Sequence, residues 1–422
     1  MTPDGTGLHP ALVWAQSGLM ALSGPEDGPP AVASGRWVQR LDEVVADIAR
    51  LRAQATGNVS APGGVGRPEI SEGPSAGLRT DAAGFLGERA ALVGRRRRGA
   101  VSVGGACRMV AAADGVLAVS LARTSDVEMV PAWLQRDVPP GADVWAAVVD
   151  GARRRPMAEL LERAGWLGLA VGEAARPPAP AEPHSFADAG SLAPGRRLVV
   201  DTSSLWAGPL CASLLGGRGT AVTKVEGPNR PDGARYGSPA FFELMNRGKQ
   251  HTIIDLEGAE GQARFGELCR RAAVVVDGLR PRVWANWGID RLEVARTCGL
   301  LWVSITAHGD DRPGFGDDAA VAGGLWLADP HGGLPWFVAD AAADPVAGLV
   351  ACRAVLEAMA AGRAGLIEVA MSTAVSWLRA GDDLTAPDAE VFRRGDRWVV
   401  RADDDEQVVL DPQMGPVRPV HE

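Results

Sequence analysis

The sequence predicts an α/β protein in which a large parallel sheet is joined to a smaller α+β unit. Between residues 196 and 310, short apolar runs rich in valine and isoleucine alternate with helix-like stretches. Continuous apolar strands separated by helices indicate a parallel sheet that is covered on both faces. The predicted strands lie at 198–200, 221–225, 252–254, 274–276 and 302–305. The predicted helices between them lie near 208–216, 259–272 and 290–297.

The first 173 residues follow a different pattern. Apolar residues recur at helical spacing from 36 to 53, which predicts an amphipathic helix. The turn Ala113-Asp114-Gly115 separates two apolar runs, and this arrangement is typical of a β-hairpin. A leucine-rich helix is predicted over 157–171. We therefore expect a small α+β domain at about 97–173 inside an N-terminal region that spans 1–173.

Changes in composition mark the other boundaries. Residues 55–80 are rich in Gly, Pro and Ser and predict a long loop. The stretch 174–195 is rich in proline and predicts a semi-rigid linker. The main α/β domain then spans 196–380, and a β-rich tail at 381–422 contains a predicted hairpin around 397–401.

Two segments near opposite ends of the chain show a weak internal sequence similarity, called the internal echo below. Residues 17–22 followed by 27–30 resemble residues 323–328 followed by 332–335. In a chain this rich in alanine and glycine the echo can arise by chance. It can also mark two copies of one helix-plus-loop unit, and the sequence leaves both interpretations open.

Composition narrows the class of function. The formal charge is −9 over 422 residues, which argues against a nonspecific nucleic-acid or anionic-membrane binder. The basic run 95–98 is interpreted as a solvated turn. Neither a long apolar stretch nor a secretory leader is recognisable, and five scattered cysteines suit a reducing cytosol. We expect a cytoplasmic protein that has no metal centre.

The two lysines direct attention to the main domain. Lys224 and Lys249 are the only lysines among 43 basic residues. A compact ammonium group on a flexible stem suits contact with a phosphate. The alternative is that codon drift has left two neutral surface lysines.

Seven sequence blocks in the main domain carry a family resemblance. The first βα junction, Asp201 followed by Ala207-Gly208-Pro209, lacks the glycine-rich loops of dinucleotide and nucleoside-triphosphate sites. In order, the blocks are 198–201, 207–209, 224–226, 246–249, 255–256, 275–277 with 280–281, and 303–305. They resemble the family III CoA-transferases, which include formyl-CoA and carnitine CoA-transferases and the α-methylacyl-CoA racemases. The resemblance runs from about 196 to 376, with weaker blocks at 338–348 and 365–369.

This resemblance implies a Rossmann-like large domain that takes coenzyme A as an acyl-CoA substrate. It places five residues near the nucleotide and its phosphates: Ala207, Lys224, Asn246, Lys249 and Arg280. For Asn246 and Arg280, loop capping and ion pairing are the alternative roles.

The resemblance also implies a catalytic aspartate shortly after a Pro-Gly-aromatic sequence, here Pro313-Gly314-Phe315. In the family this carboxylate attacks the acyl-CoA thioester and becomes an enzyme-bound thioester. Counted back without a gap from Gly323-Gly324, the expected position holds Gly316. If the alignment is shifted by one or two residues, the expected position holds Asp317 or Asp318, and Asp317 is slightly favoured. The alternative is that both aspartates cap a helix beginning at Ala319.

Other parts of the site follow from the same resemblance. Gly323 and Gly324 are candidates for backbone donors to the reacting oxyanion. His308 is a candidate proton-transfer partner, as a histidine is in the racemases, or else a surface loop histidine. Residues 104–108 and 113–119 resemble the small domain of the family, which ordinarily follows the large domain but precedes it here. Interlocked homodimers are also implied.

We therefore expect an enzyme that moves CoA between an acyl thioester and a carboxylic acid, with these small molecules as its partners. An α-methylacyl-CoA racemase-type isomerase is the first alternative. A noncatalytic acyl-CoA-binding homologue is the second, because glycine stands at the expected position of the nucleophile.

Overall fold

The computed structural model describes residues 9–33, 35–55, 81–217, 219–380, 382, 384 and 388–415. The loop predicted at 55–80 falls outside the described residues, except for residue 55. Within these ranges, no helix is both long enough and apolar enough to cross a bilayer.

The N-terminal part contains three helices followed by a small α+β unit. The helices are α1 (Pro10–Gln16), α2 (Trp37–Ala55) and α3 (Asp81–Val93), with a 3-10 turn at Met20–Leu22. The unit contains β1 (Cys107–Ala111), β2 (Val116–Ser120), α4 (Thr124–Leu134), α5 (Val144–Ala152), α6 (Met157–Leu167) and β3 (Ala170–Glu173). Its strands form an antiparallel sheet in the order β1-β2-β3. The predicted helix at 36–53 and the hairpin around Asp114 are confirmed.

The remaining elements build the large domain and the tail. The first half contains β4 (Ser185–Ser191), β5 (Leu198–Asp201), α7 (Ala207–Leu215), β6 (Ala221–Glu226), α8 (Ala234–Gly237), α9 (Pro239–Asn246), β7 (Gln250–Ile253), α10 (Ala259–Arg271), β8 (Val274–Asp277), α11 (Pro281–Asn286), α12 (Arg291–Cys298) and β9 (Leu301–Thr306). The second half contains α13 (Gly316–Ala322), β10 (Trp326–Leu327), β11 (Trp336–Phe337), α14 (Ala343–Ala360), β12 (Arg363–Ala370), α15 (Met371–Leu378), β13 (Glu390–Arg394), β14 (Arg397–Ala402) and β15 (Asp405–Val408).

The large sheet confirms the predicted α/β class. Its seven strands run in the order β4-β12-β9-β8-β5-β6-β7, and every neighbouring pair is parallel except β4 with β12. Alternate residues enter two separate hydrophobic clusters, as Val274 and Val275 do on neighbouring positions of β8. Both faces are therefore covered, which explains why the strands are continuously apolar in sequence.

One strand lies where the sequence predicted a linker. Residues 185–191, inside the predicted linker at 174–195, pair antiparallel with β12 as the edge strand β4. A side chain at Gly365 would come within 2.4 Å of the Ala187 carbonyl oxygen. Glycine at position 365 therefore allows the two backbones to approach closely, and the prolines that flank β4 concealed the strand in the sequence.

The internal echo corresponds to two structurally similar units. Helices α1 and α13 are both seven residues long, and each is followed after one residue by a left-handed glycine, Gly18 (φ 79°) and Gly324 (φ 87°). The long helices α2 and α14 then begin after the same number of residues in both units. These helices also pack on each other. The matched spacing favours two copies of one unit over a chance similarity.

The N-terminal helices share their core with the large domain. Leu41 of α2 and Leu86 of α3 belong to the same hydrophobic cluster as Val350 of α14. The small α+β unit has a core of its own around Val119, Trp133 and Leu160. The loops that join these two bodies meet at the carboxyl edge of the large sheet, where the candidate site lies.

Candidate active site

Lys249 lies in a buried polar cluster at the end of β5. Its Nζ atom is 2.8 Å from Asp201 Oδ2 and donates to the Pro209 carbonyl oxygen at 2.9 Å. It also donates to Asn246 Oδ1 at 3.0 Å, and the Asn246 amide donates to the Phe242 carbonyl oxygen. Asn246 therefore holds the end of α9 against the lysine. The Pro209 contact ties the same lysine to the start of α7, next to Ala207.

Lys224 forms the second half of this cluster. Its Nζ atom is 2.9 Å from Asp232 Oδ2 and donates to the Ser203 carbonyl oxygen at 2.8 Å. Asp232 in turn accepts from the backbone N–H groups of Leu205 and Ala234. The ion pair thus holds the loop after β6 against the loop after β5, where Leu205 adopts the left-handed conformation (φ 70°). Such strained positions concentrate at ligand sites.

The ionisation of the cluster follows from its burial. Burial opposes the charge on Asp201, but Lys249 and Lys224 lower the pKa of Asp201 to about 2. Burial lowers the pKa of Lys249 to about 8, against the attraction of Asp201. Both lysine side chains are 0% exposed, so the interpretation as surface lysines is wrong. Both ammonium groups are already bound to protein oxygens. Their contact with a phosphate therefore stays a prediction.

Arginines gather at the same edge of the sheet. Burial lowers the pKa of Arg280, and the nearby charges of Arg282, Arg123 and Arg230 lower it further, although Asp311 opposes the change. These four residues come from the loops after β8, β2 and β6 and from the start of α11. Mutual repulsion among guanidinium groups is relieved when an anion binds between them. Only Arg280 of the four was singled out from the sequence, because Arg282 lies just outside the matching block at 280–281 and the other two are distant in the chain.

The two candidate nucleophiles on α13 lie in different surroundings. Asp318 is fully buried, and its Oδ1 atom accepts from Ser120 Oγ at 2.7 Å and from the Phe315 N–H at 3.0 Å. This second bond caps α13, which begins at Gly316 and not at Ala319. The capping role predicted as an alternative is therefore confirmed for Asp318. Its Oδ2 atom faces His308 Nε2 at 3.7 Å.

Asp317 is only partly buried and belongs to an acidic cluster. Its Oδ1 atom accepts from the Ala341 N–H at 3.1 Å. Arg89 donates through two nitrogens to the buried Asp340, with its Nε atom 2.8 Å from Oδ2. Burial raises the pKa of Asp317 to about 6, although Arg89 opposes the rise. Burial likewise raises the pKa of Asp344 to about 7.

Asp344 occupies the space next to Gly316. A Cβ atom at Gly316 would lie 2.3 Å from Asp344 Oδ2 and 2.5 Å from the Ala341 carbonyl oxygen. The position that the resemblance assigns to the nucleophile therefore has no room for a side chain, and a carboxylate from α14 stands beside it. Sequence reasoning missed Asp344, although it lies in the weak block at 338–348. In the first copy of the repeated unit, the residues equivalent to Asp317, Asp318 and Asp344 are Ala11, Leu12 and Val38.

Comparison with known proteins defines the relationship. The model of CoA-transferase family III matches residues 196–398. Residues 196–398 therefore resemble this family, and the first 195 residues lie outside the match. This match covers six of the seven strands of the large sheet, the lysine cluster, α13 and α14, and thus every candidate site residue that was predicted.

Relatives with a curated activity agree with the family match. The chain is 31% identical over 205 residues to the succinyl-CoA–L-malate CoA-transferase β subunit of Chloroflexus aurantiacus, covering 44% of this chain and 50% of the relative. It is 28% identical over 199 residues to the succinate–glutarate CoA-transferase of Agrobacterium fabrum, covering 41% and 49%. The chain therefore spans about half the length of the curated relatives it matches. The crystal structure of Rv3272 from Mycobacterium tuberculosis aligns with a TM-score of 0.44 at 27% identity, covering 51% of this chain and 64% of that one.

The two glycines predicted as oxyanion donors lie at the far end of α13. The Gly323 N–H donates to the Ala319 carbonyl oxygen, and the Gly324 N–H donates to the Val321 carbonyl oxygen, each at 2.9 Å. Both groups terminate the helix. Their role as oxyanion donors stays a prediction. A different glycine, Gly104, lies beside Asp317: a Cβ atom there would be 3.9 Å from Asp317 Oδ2.

Gly316→Ala is expected to destabilise the fold by about 1–3 kcal/mol, because the new methyl group would displace Asp344 and the Ala341 carbonyl. Urea denaturation measures the change. Gly165→Ala is the matched control, since Gly165 lies within α6 and a Cβ atom there would contact nothing within 4 Å. The control should be neutral or slightly stabilising. Equal behaviour of the two variants would contradict the crowding at Gly316.

Asp344→Asn is expected to flatten the pH dependence of stability. The raised folded pKa means that the native state binds more protons than the unfolded chain between about pH 4 and pH 7. The free energy of unfolding of the wild type should therefore fall as pH rises through that window. Between pH 4.5 and pH 7.5, the free energy of unfolding should fall by about 2 kcal/mol less in the variant than in the wild type. Urea denaturation at the two pH values measures both falls. Asp310→Asn, at an exposed site, is the control and should leave the slope unchanged.

Proposed function

We propose that this chain moves CoA between an acyl thioester and a free carboxylic acid, with Asp317 as the nucleophile. The family match of residues 196–398 supports the reaction class. The contrast between the two aspartates supports the choice of Asp317: Asp318 is fully buried and committed to capping, whereas Asp317 is partly exposed. This contrast is the observation that carries the assignment.

The proposed reaction balances without an external proton donor or oxidant. The Asp317 carboxylate attacks the thioester carbonyl, the C–S bond breaks, and a mixed anhydride and CoA thiolate form. The thiolate attacks the aspartyl carbonyl and releases the first acid, leaving CoA on Asp317 as a thioester. The acceptor carboxylate then attacks that thioester, and a second anhydride forms. Return of the thiolate to the acceptor carbonyl yields the new acyl-CoA and regenerates Asp317.

The acidic cluster suits this chemistry. A carboxylate with a pKa of about 6 is more basic than an ordinary aspartate, and so a better nucleophile, yet it is still ionised at pH 7.5. Asp344, with a pKa of about 7, would retain a proton in part of the molecules and could donate it as a hydrogen bond to a developing oxyanion. Arg89 and Asp340 would keep the total charge of the cluster low.

The arginines would hold the other end of the substrate. Arg280, Arg282, Arg123 and Arg230 offer guanidinium groups for the phosphates of CoA. Ala207 and the lysine cluster would shape the floor between these arginines and the reacting atoms. In this proposal Lys224 and Lys249 act by fixing the loops, and Asn246 acts by holding Lys249.

The names of the relatives suggest a class of acid. The relatives described above carry succinyl, malate, succinate and glutarate in their names. We extend this to short dicarboxylic acids as substrates of this chain. We also propose a homodimer in the cytoplasm, which light scattering would report as twice the chain mass of 44.0 kDa.

Exchange of a labelled acid tests the proposal. Succinyl-CoA is incubated with the full chain and isotopically labelled glutarate, and the CoA esters are separated. Labelled glutaryl-CoA is expected to form with the wild type. If no label enters a CoA ester with succinate, glutarate or malate as acceptor, the proposed activity is wrong for these substrates.

A racemase-type activity is the second candidate, because His308 and Asp318 face each other at 3.7 Å. An imidazole beside a carboxylate suits removal of an α-proton. Incubation of 2-methylacyl-CoA in deuterium oxide should then introduce deuterium at Cα. Tight binding of CoA with neither exchange nor deuterium uptake would instead indicate an acyl-CoA-binding homologue without catalysis.

A further inference from the structure

An open cleft lies between the small α+β unit and the carboxyl ends of β9 and β12. Its volume is about 340 Å³, at the lower end of the range of small-molecule sites. Leu161 and Val171 line it from the small unit, and Pro177 and Pro178 form a wall from the predicted linker. Asp317 is not among the residues that line it. The cleft thus borders α13 through Ala322 but does not include the proposed nucleophile.

The large domain supplies polar groups to the opposite wall. Arg312 lies at the rim, and Ser372 and Thr373 lie in the first turn of α15. Hydroxyl groups and a guanidinium group donate hydrogen bonds to carboxylates. Ser376 also lines the cleft, and its hydroxyl donates to backbone carbonyl oxygens.

Charges of both signs surround the cleft, and Arg312 is the cation that lines it. Behind the proline wall, Arg379 donates to the Pro177 carbonyl oxygen at 3.1 Å and Arg176 stacks on Trp326. Three acidic residues lie near these cations: Glu173 on the wall, Asp318 behind His308, and Asp310, which is paired with Arg312 at 2.8 Å on the exposed side. Exposed pairs of this kind are weak and exchange readily with an incoming carboxylate.

His308 connects the cleft to a buried carboxylate. Its side chain is 5% exposed, and its Nε2 atom has no hydrogen-bond partner, although Asp318 Oδ2 lies 3.7 Å away. Ser120 holds the other oxygen of Asp318 at 2.7 Å. A Cβ atom at Gly314 would come 2.8 Å from Asp318 Oδ2 and 3.1 Å from His308 Nε2, so only glycine leaves the two groups face to face. The His308 ring thus lies on the wall of the cleft with the Asp318 carboxylate behind it.

We propose that this cleft binds a small carboxylic acid in its ionised form. His308 and Arg312 contact the carboxylate, the hydroxyls of Ser372 and Thr373 orient it, and Leu161 and the prolines cover its carbon chain. The acid is either the acceptor substrate, in which case this inference rests on the proposed function, or a regulator of the same chemical class.

Calorimetric titration of the full chain with succinate, without any acyl-CoA, tests the cleft directly. The wild type should bind one succinate per chain. His308→Gln and Arg312→Gln should each weaken binding by about tenfold, since each removes a hydrogen-bond donor to the carboxylate. Arg296→Gln is the matched control, because Arg296 is exposed on α12 and paired with Glu293, and it should bind like the wild type. Absence of binding in the wild type, or unchanged binding in both cleft variants, would overturn the proposal.

Kinetics separate the two sources of the acid. If the acid is the acceptor, His308→Gln should raise the acceptor KM and leave the KM for succinyl-CoA unchanged. If it is a regulator, the acceptor KM should stay constant, and the effect of added succinate on the wild-type rate should vanish in the variant. Asp317→Asn should still bind succinate while losing transfer. Binding through His308 in a wild type that shows no transfer would refute the proposed function and leave the cleft standing.

Discussion

Replacing Asp317 with asparagine is expected to reduce CoA transfer by about 10⁴-fold or more, because the variant has no carboxylate to carry the acyl group or CoA. The asparagine amide keeps the size of the side chain and can keep the bond from the Ala341 N–H through its oxygen. Stability should therefore change little at pH 7.5. The initial rate of formation of labelled glutaryl-CoA measures the effect.

Asp318→Asn is the matched comparison on the neighbouring residue. Asp318 caps α13 and accepts from Ser120, so this variant should lower thermal stability and reduce transfer far less than Asp317→Asn does. A reversal, in which Asp317→Asn is active and Asp318→Asn is inactive but folded, would move the nucleophile to Asp318. The assignment is thus open to refutation by two single substitutions.

Lys224→Met should produce the largest loss of stability, about 3–5 kcal/mol. The substitution leaves Asp232, which is fully buried, without its ion pair and removes a positive charge from the surroundings of Asp201. The loops that carry Leu205 and Asp232 would separate, so CoA affinity should fall as well. Urea denaturation at pH 7.5 gives the free energy of unfolding, and calorimetry gives the affinity for CoA.

Two further variants make the lysine result specific. Arg247→Met removes an exposed cation whose pair with Glu243 is 3.6 Å long, and it should change stability by less than about 0.5 kcal/mol. Lys224→Met combined with Asp232→Asn should recover part of the loss, since the unpaired charge is gone. A loss in Lys224→Met no larger than that in Arg247→Met would show that the buried pair contributes nothing measurable.

The large sheet could be predicted from the sequence because its signals are local. The central strands contain continuous apolar runs, such as 274–276, and the intervening helices show their own periodicity. The edge strand at 185–191 was missed because it alternates small and polar residues and is stabilised by pairing with a distant strand. Local sequence carries little information about such a partner.

Only the part of the site that lies within one short segment of the chain could be predicted from the sequence. The segment 312–318 indicated Asp317 and Asp318, yet their different roles depend on Ser120, from the small unit, and on Arg89, from α3. Asp344 stands beside Gly316 through the packing of α14 on α13. These contacts join residues far apart in the chain, and no spacing rule indicates them.

The most direct test of the account is the mass of the protein after reaction with succinyl-CoA. The full chain is mixed with succinyl-CoA, quenched in acid, and analysed intact and after proteolysis. The account predicts a fraction of the wild-type chain carrying one CoA through a thioester, located on the peptide that contains Asp317 and absent from Asp317→Asn. A CoA adduct on any other residue, or rapid transfer without any adduct, would contradict it.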